Sequence, residues 1–498
     1  MAGKKRGIDW KRIGLMLLGV GLFCGVNFSP PWPDVIDPAG EVFQLSSQGK
    51  AALGLFLLAA TWWVFEVVPI GVTSILIGVT QCLFLIRPPV IGIEGNEILS
   101  SAKRALGDFM DPSVWFILGS VVIGMAFSKT GLTNRMAYKM LMMVGEKTSS
   151  IYLGTFVMTA ALTIIMAHTA VAAALYPLLA AIYALYDADN KPSKFGKGLF
   201  IGMAFVAGAG SIITLLGAAR GAVAIGFFRD IVGREVGFFE LSYYMAPVGI
   251  LMTFLLWGFI MVFFKPEHST IPGLRERASA LSKKLGPMSR PEILTLVVVG
   301  LTVITLSCRS FIPGLENLNK SAIILISTIL FFVFRILSIK DLELIPWNII
   351  LLFGGAMSIG FCLWQTGAAS WMAINWLGLL ETAPSFVFIM GVSIFVLLMT
   401  NFIMNVAAIA ISLPVALVIA PYLGVSPEVI LFSSLVMAGM PFLLLVGAAP
   451  NAIAYESKQF TSGEFFTAGI PASVLLTVVL ALFVGVIWPM MGMPVTLP

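Results

Sequence analysis

"WFILGSVVIGMAFSKTG", residues 115–131, returns later in the chain as "ILLFGGAMSIGFCLWQTG", residues 350–367. A shift of 236 lays Gly119 on Gly355, Ile123 on Ile359, Gly124 on Gly360 and Thr130-Gly131 on Thr366-Gly367. Two further blocks follow in the same order. "MAHTAVAAALYP" (166–177) pairs with "IMNVAAIAISLP" (403–414) at a shift of 237, which sets His168 on Asn405, Thr169 on Val406 and Pro177 on Pro414. "GAARGAVA" (217–224) pairs with "GAAPNAIA" (447–454) at a shift of 230. Three ordered matches describe a chain built twice from one pattern.

Composition places that pattern in a membrane. Of 498 residues 59% are hydrophobic and 11% charged, and the mean hydropathy is +0.99. A soluble domain carries about 25% charged residues. Uncharged runs recur along the chain, among them Ile13–Pro33, Thr148–Tyr186, Gly198–Ala219, Thr382–Pro427 and Phe465–Pro498. A bilayer-spanning helix needs about 20 apolar residues, so the chain reads as an all-α polytopic membrane protein without a soluble domain. The longest polar stretch, Lys265–Arg290, reads as a loop. Basic residues are spread over loops, which gives no nucleic-acid signal. Cys24, Cys82, Cys308 and Cys362 show no CxxC spacing and read as small buried hydrophobes. The basic start (Lys4, Lys5, Arg6, Lys11, Arg12) precedes an apolar run taken as a first spanning helix.

Eleven spans are expected near 13–33, 50–68, 70–86, 113–129, 198–228, 241–264, 291–308, 321–337, 345–366, 427–455 and 467–490. The remaining apolar runs, 148–186 and 382–420, are expected to be re-entrant hairpins, each entering and leaving by one side. With the N-terminus inside, most Lys and Arg then fall on the cytoplasmic side, as the positive-inside rule requires. This leaves the C-terminus outside, in a plasma (inner) membrane. The expected organisation is a tail and first helix (1–49), a first repeat (50–264), a basic cytoplasmic loop (265–290) and a second repeat (291–498). The broken helices fall at 198–228 and 427–455.

Repeats separated by an odd number of crossings have opposite orientations. Inverted repeats with interrupted segments in matching places point to a secondary transporter with its site at the repeat interface. Irregular backbone is tolerated at membrane depth only where protein buries it or it lines a wet cavity. An enzyme is not indicated. "AMSIG" (356–360) lacks the first glycine of a nucleophile elbow, and there is no H-E-x-x-H or paired intramembrane aspartate. His268 sits in a loop, away from Ser358. A cation/proton antiporter or an anion channel of similar architecture is the alternative. Antiporters usually place acidic groups at mid-membrane, and none occurs within 148–186 or 382–427.

At these residues the chain resembles the divalent anion:sodium symporters, the dicarboxylate, citrate and sulfate carriers. "WWVFEVVPIGVTSIL" (62–76) is similar to their Trp-x-x-Glu-x-x-Pro-x-x-x-Thr block, in which Glu66 reads as a structural anchor. The family carries a Ser-Asn-Thr triplet at each hairpin tip and a Gly-Thr-Pro-Pro-Asn-like break in each repeat. Here the triplets read Ala167-His168-Thr169 and Met404-Asn405-Val406, and the breaks read GAARG and GAAPN. The resemblance implies a homodimer with scaffold and transport domains, working as an elevator on a small organic anion, with no cofactor beyond Na+ as coupling ion.

The departures are chemical. Ala167 and His168 remove a hydroxyl and a carbonyl oxygen from the first sodium site that the resemblance implies, and Arg220 appears three residues after Gly217. A guanidinium donates five N–H bonds and accepts none, so it repels a cation and attracts carboxylate or sulfonate. We therefore expect Arg220 to substitute for the first sodium and His168 to donate to the substrate. The alternatives are a snorkelling Arg220 and a packing histidine. His168 would also permit proton coupling, and exchange of one anion for another is a third mode. Thr400, Asn405 and Gly447 stay where the resemblance implies sodium-site residues, leaving one site. The expected substrate contacts are Ala167, His168, Thr169, Arg220, Asn405, Val406, Ala448, Ala449 and Pro450. Dicarboxylates, sulfonates, sulfate and monocarboxylates all suit such a pocket.

Overall fold

A computed structural model of the chain describes residues 10–36, 42–65, 67–88, 97–187, 191–309, 311–312, 314–315, 317–380 and 384–497. Lys4, Lys5, Arg6 and Glu66 lie outside the described residues. The protein is all-α; the only paired strands among the described residues are Val35–Ile36 and Val42–Phe43. Eight helices among them are long and apolar enough to cross a bilayer, which makes this a polytopic membrane protein.

Not every expected span is a single long helix. The stretches at 70–86 and 321–337 give Ile70–Leu83 and Lys320–Val333, of 14 residues each. The stretches at 198–228 and 427–455 are cut in two. The first gives Lys194–Gly210 and Ala219–Val232, the second Pro427–Gly439 and Ala449–Tyr455. The two uncharged runs form hairpins, Thr148–Thr163 with His168–Tyr186 and Ser385–Phe402 with Asn405–Ile419. Each second arm carries an internal proline, Pro177 or Pro414.

The segment 265–290 is not the loop expected from its charge. It contains the helix Leu274–Leu285, with Leu274 and Ala278 buried. Leu274, Ala278, Leu281 and Leu285 recur at helical spacing and give it an apolar stripe. Just before it, Glu267 accepts from the Lys194 and Phe195 amides and the Tyr186 hydroxyl. Partial burial favours its neutral acid, but these donors hold the carboxyl below the usual range.

The element order of the first half recurs in the second, at points the side chains do not advertise. Helices Ile70–Leu83 and Lys320–Val333 both end in a left-handed residue, Leu85 (φ 49°) and Arg335 (φ 56°). The next amide closes a six-residue turn in each, Ile86 N–H to Gln81 O and Ile336 N–H to Phe331 O, a Schellman ending. Helices Phe238–Phe263 and Ser462–Leu482 both carry a glutamate in the first turn, Glu240 and Glu464, and an internal proline, Pro247 and Pro471.

The chain forms two compact units, each drawing on both halves of the sequence: 1–111 with 346–383 and 410–423, and 112–345 with 384–409 and 424–498. In the first, Ile70–Leu83 lies against Trp347–Gln365 so closely that a Cβ on Gly355 would stand 2.4 Å from Ser74 Cβ. A buried polar cluster secures that contact. Arg87, 1% exposed, donates to Asp108 (2.7 Å), the Ser358 carbonyl (3.0 Å) and Gln365 (2.9 Å), while Gln81 donates to Ser358 Oγ (2.9 Å).

In the second unit the repeat-related pair makes the equivalent contact. Pro112–Thr130 meets Lys320–Val333, with a Cβ on Gly119 reaching 2.8 Å from Ile324. The centre of this unit is made by the first halves of the broken helices. Lys194–Gly210 is buried from Phe195 on except at Lys197, and Pro427–Gly439 is buried except at Glu428.

Removing one member of a buried ion pair costs about 3–5 kcal/mol because the other charge is left unpaired. Arg87→Ala should therefore lower the thermal unfolding midpoint of the purified protein by several degrees. Adding Asp108→Asn to it should recover part of the loss; an unchanged midpoint for Arg87→Ala would show the cluster to be dispensable.

Candidate functional site

The two hairpin tips dock onto the two helix breaks within the second unit. At the first, the His168 amide donates to the Gly217 carbonyl (2.9 Å) and the ring Nδ1 lies 3.2 Å from the same oxygen. A carbonyl only accepts, so Nδ1 carries the proton and the neutral ring keeps Nε2 as an acceptor. The Gly217 oxygen, with two lone pairs, is thereby saturated. Thr214 stitches the break itself: its hydroxyl donates to Ile164 O (2.6 Å) and accepts from the Leu216 amide (3.2 Å). Ser120 reaches the Leu216 carbonyl from Pro112–Thr130 (2.9 Å).

The second tip solves the same problem differently. Asn405 does not donate its amide to Gly447, as His168 does to Gly217. Its Oδ1 and the Ala438 carbonyl both lie within hydrogen-bond reach of the donating Thr400 hydroxyl, at 3.1 and 3.2 Å. Thr400 is fully buried and Asn405 is 7% exposed. Hydroxyl, amide and peptide oxygens thus converge without a charged donor among them, a set suited to a hard monovalent cation. The break is stitched by two asparagines. Asn401 Oδ1 accepts from the Leu443 and Leu444 amides, and Asn451 donates to the Pro441 and Leu444 carbonyls.

The break glycines are dictated by close backbone approach. A Cβ on Gly217 would stand 2.6 Å from the Ser211 and Thr163 carbonyls. A Cβ on Gly447 would stand 2.6 Å from Pro441 Cβ and 2.9 Å from the Thr400 carbonyl. Thr163 pairs with Thr400 and Ser211 with Pro441 under the shifts of the repeat, so the same contact is built twice.

Arg220 does not snorkel. It lies in the first turn of the helix Ala219–Val232, is 2% exposed, and donates from Nη2 to Ser211 Oγ at 2.7 Å. Ser211 in turn donates to the Gly208 carbonyl (2.7 Å). Nη1 is buried without a partner, and no carboxylate pairs with the guanidinium among the described residues. The guanidinium lies close to Gly439, where a Cβ would stand 2.8 Å from Nη2. The small cavity beside it is lined by Ser211, Thr214, Ala218, Leu241 and Met245.

The expected site residues therefore fall into three groups. Ala167, His168 and Thr169 sit half-buried at the first tip, and Ala448 and Ala449 half-buried at the second break. Thr400, Asn405 and Gly447 gather at the second tip, with Val406 and Pro450 buried next to them in sequence. Arg220 stands apart in its own cavity, which none of the tip residues lines. Sequence reasoning missed Ser211, Ala438 and Gly439, because a hydroxyl, a carbonyl and a glycine in apolar runs carry no signal of their own. Asn401 and Asn451, polar residues in apolar segments, were legible signals.

Paired hairpins and interrupted helices are the architecture of secondary transporters, which build ion and substrate sites from broken helices. The chain belongs to the family described as the sodium:sulfate symporter transmembrane region, whose model matches residues 37–494. It is similar to a sodium-dependent dicarboxylate transporter, SdcS, of Staphylococcus saprophyticus, at 26% identity over 91% of this chain and 89% of that one. The protein of the same name in Staphylococcus aureus is 24% identical over 91% of this chain and 88% of its own length. Two solved transporters share the fold. YdaH of Alcanivorax borkumensis has a TM-score of 0.55 at 13% identity, covering 98% of this chain and 99% of that one. MtrF of Neisseria gonorrhoeae, described among antimetabolite efflux pumps, has a TM-score of 0.55 at 11% identity, covering 86% and 96%.

Overpacking against backbone costs about 1–3 kcal/mol. Gly217→Ala and Gly447→Ala should each lower the unfolding midpoint, whereas Gly14→Ala, which meets nothing within 4 Å, should leave it unchanged. Equal midpoints for all three would contradict the docking of tips onto breaks.

Proposed function

We propose that the protein is a secondary active transporter of small organic anions, dicarboxylate-like in the first instance, coupled to a single sodium ion. The observation that carries this reading is the asymmetry between the repeats. Gly217's carbonyl is closed by His168, whereas Thr400, Asn405 and Ala438 leave their oxygens converging. Arg220 supplies in the first repeat a positive charge that is never released, so it substitutes for an ion without being transported. The substrate meets the half-buried tip residues Ala167, His168 and Thr169 and the break residues Ala448 and Ala449. Met404 and Val406 offer no side-chain hydrogen bond, which suits a cargo with one strong anionic group, so sulfonates, sulfate and monocarboxylates belong in the same test. Neutral His168, donating to Gly217, presents an acceptor to the cargo and assists an anion only through a protonated carboxyl or when the ring itself is protonated.

The placing of both tips and both breaks in one of the two compact units supports an elevator mechanism. That unit would be the moving body, in a homodimer in the plasma membrane with the N-terminus inside. Dicarboxylate transport with sodium in the SdcS relatives supports the cargo and the ion.

A ligand that binds only the folded state stabilises it by mass action, by about 2.7 kcal/mol at 100 times its Kd. Purified protein should be stabilised by a dicarboxylate more strongly in sodium than in choline buffer. Asn405→Ala and Thr400→Val should remove that sodium increment. If the increment survives in both variants, the ion lies elsewhere; if no anion of the panel stabilises in either buffer, the cargo assignment falls.

A further inference from the structure

We infer that Arg220 also governs the second ion site: its guanidinium is a fixed competitor that weakens sodium at Thr400, Asn405 and Ala438. The inference rests on the reading of those three groups as the sodium site. Its geometry runs through one peptide. Arg220 Nη2 and Cζ lie 2.8 and 3.3 Å from where a Gly439 Cβ would stand, and Gly439 follows Ala438, whose carbonyl belongs to the ion site. Ordinary bond lengths then place the guanidinium within about 8 Å of that carbonyl oxygen.

Both charges use the same helix end. Pro427–Gly439 terminates here, and the unpaired carbonyls of a helix C-terminus attract positive charge. A sodium ion at Ala438 and a guanidinium at Gly439 therefore share one source of stabilisation while repelling each other. Among the described residues no carboxylate neutralises the repulsion: Nη2 donates to the neutral Ser211 hydroxyl and Nη1 has no partner. Water does little to screen it, because Arg220 and Ser211 are each 2% exposed and Thr400 is fully buried. Two unit charges roughly 8–10 Å apart at an effective dielectric of about 20 alter an affinity by roughly tenfold or more. The absence of a side chain at Gly439 is part of the device, because a methyl group there would press on both Ile212 Cγ2 (2.4 Å) and Arg220 Nη2 (2.8 Å) and crowd the guanidinium at the helix end. The consequence is a carrier whose remaining ion site is set for high sodium, with the setting encoded in the other repeat.

The test is sodium titration of the purified full-length protein without anion substrate, exchanging sodium for choline chloride at constant ionic strength and reading the thermal midpoint. Arg220→Gln and Arg220→Met should each lower the half-saturating sodium concentration by roughly tenfold, and Arg220→Lys should stay near the wild-type value. Gly439→Ala, which keeps the charge but moves it, should shift the value the same way by less, and serves if both neutral variants fail to fold. Unchanged or higher half-saturation in the neutral variants, or in Gly439→Ala where those do not fold, overturns the proposal. Asn405→Ala separates the two levels. If it abolishes the sodium response while Arg220→Gln shifts nothing, the ion site stands and only the role of Arg220 falls. If sodium still acts on Asn405→Ala, or acts on neither the wild type nor Arg220→Gln, the site and the inference fall together.

Discussion

A helix interrupted inside a membrane leaves peptide groups that must find partners, because the hydrocarbon offers none. That demand organises the centre of this protein. Two breaks each receive the tip of a hairpin, at glycines where no Cβ would fit beside the Thr163 or Thr400 carbonyl. The backbone solution is common to both repeats. What differs is who satisfies the carbonyls. In the first repeat the protein does it alone, with the amide and ring of His168 on Gly217. In the second, Asn401 and Asn451 hold the irregular strand and free Thr400, Asn405 and Ala438 to point their oxygens together. One break is closed by the protein's own groups, and the other leaves three oxygens close together, as the proposed sodium site requires.

Arg220 gives this asymmetry its electrostatic meaning. A buried guanidinium with no carboxylate partner among the described residues is costly in a membrane protein, and that cost is the ground for the binding role proposed for it. Ser211 holds it and Gly439 makes room for it. Its contact with Gly439 sets a charge from the first repeat against the second, a link that sequence symmetry alone would not reveal.

The class of the fold was legible in the sequence because composition and hydropathy are sufficient to dictate helices in a bilayer. The repeat was legible wherever it is carried by small residues at matching positions, as at Gly119 and Gly355. It was hidden where only the backbone repeats, as at Leu85 and Arg335, two unlike side chains in one left-handed ending. The helix Leu274–Leu285 was masked by its own charge, the four residues of its apolar stripe being outnumbered by lysines, arginines and serines. Arg220 was visible as a lone charge in an apolar run. That its charge would lie against Gly439 was not, because the contact joins distant segments and one partner has no side chain.

The central claim is that one repeat binds a cation and the other has replaced it with its own groups. The most direct measurement is the ratio of sodium to anion taken up by proteoliposomes containing the purified protein, from parallel radiolabelled fluxes under a sodium gradient. The account predicts one sodium ion per dicarboxylate. A ratio of two or more would mean that the first repeat still binds sodium despite His168 and Arg220, and would contradict it.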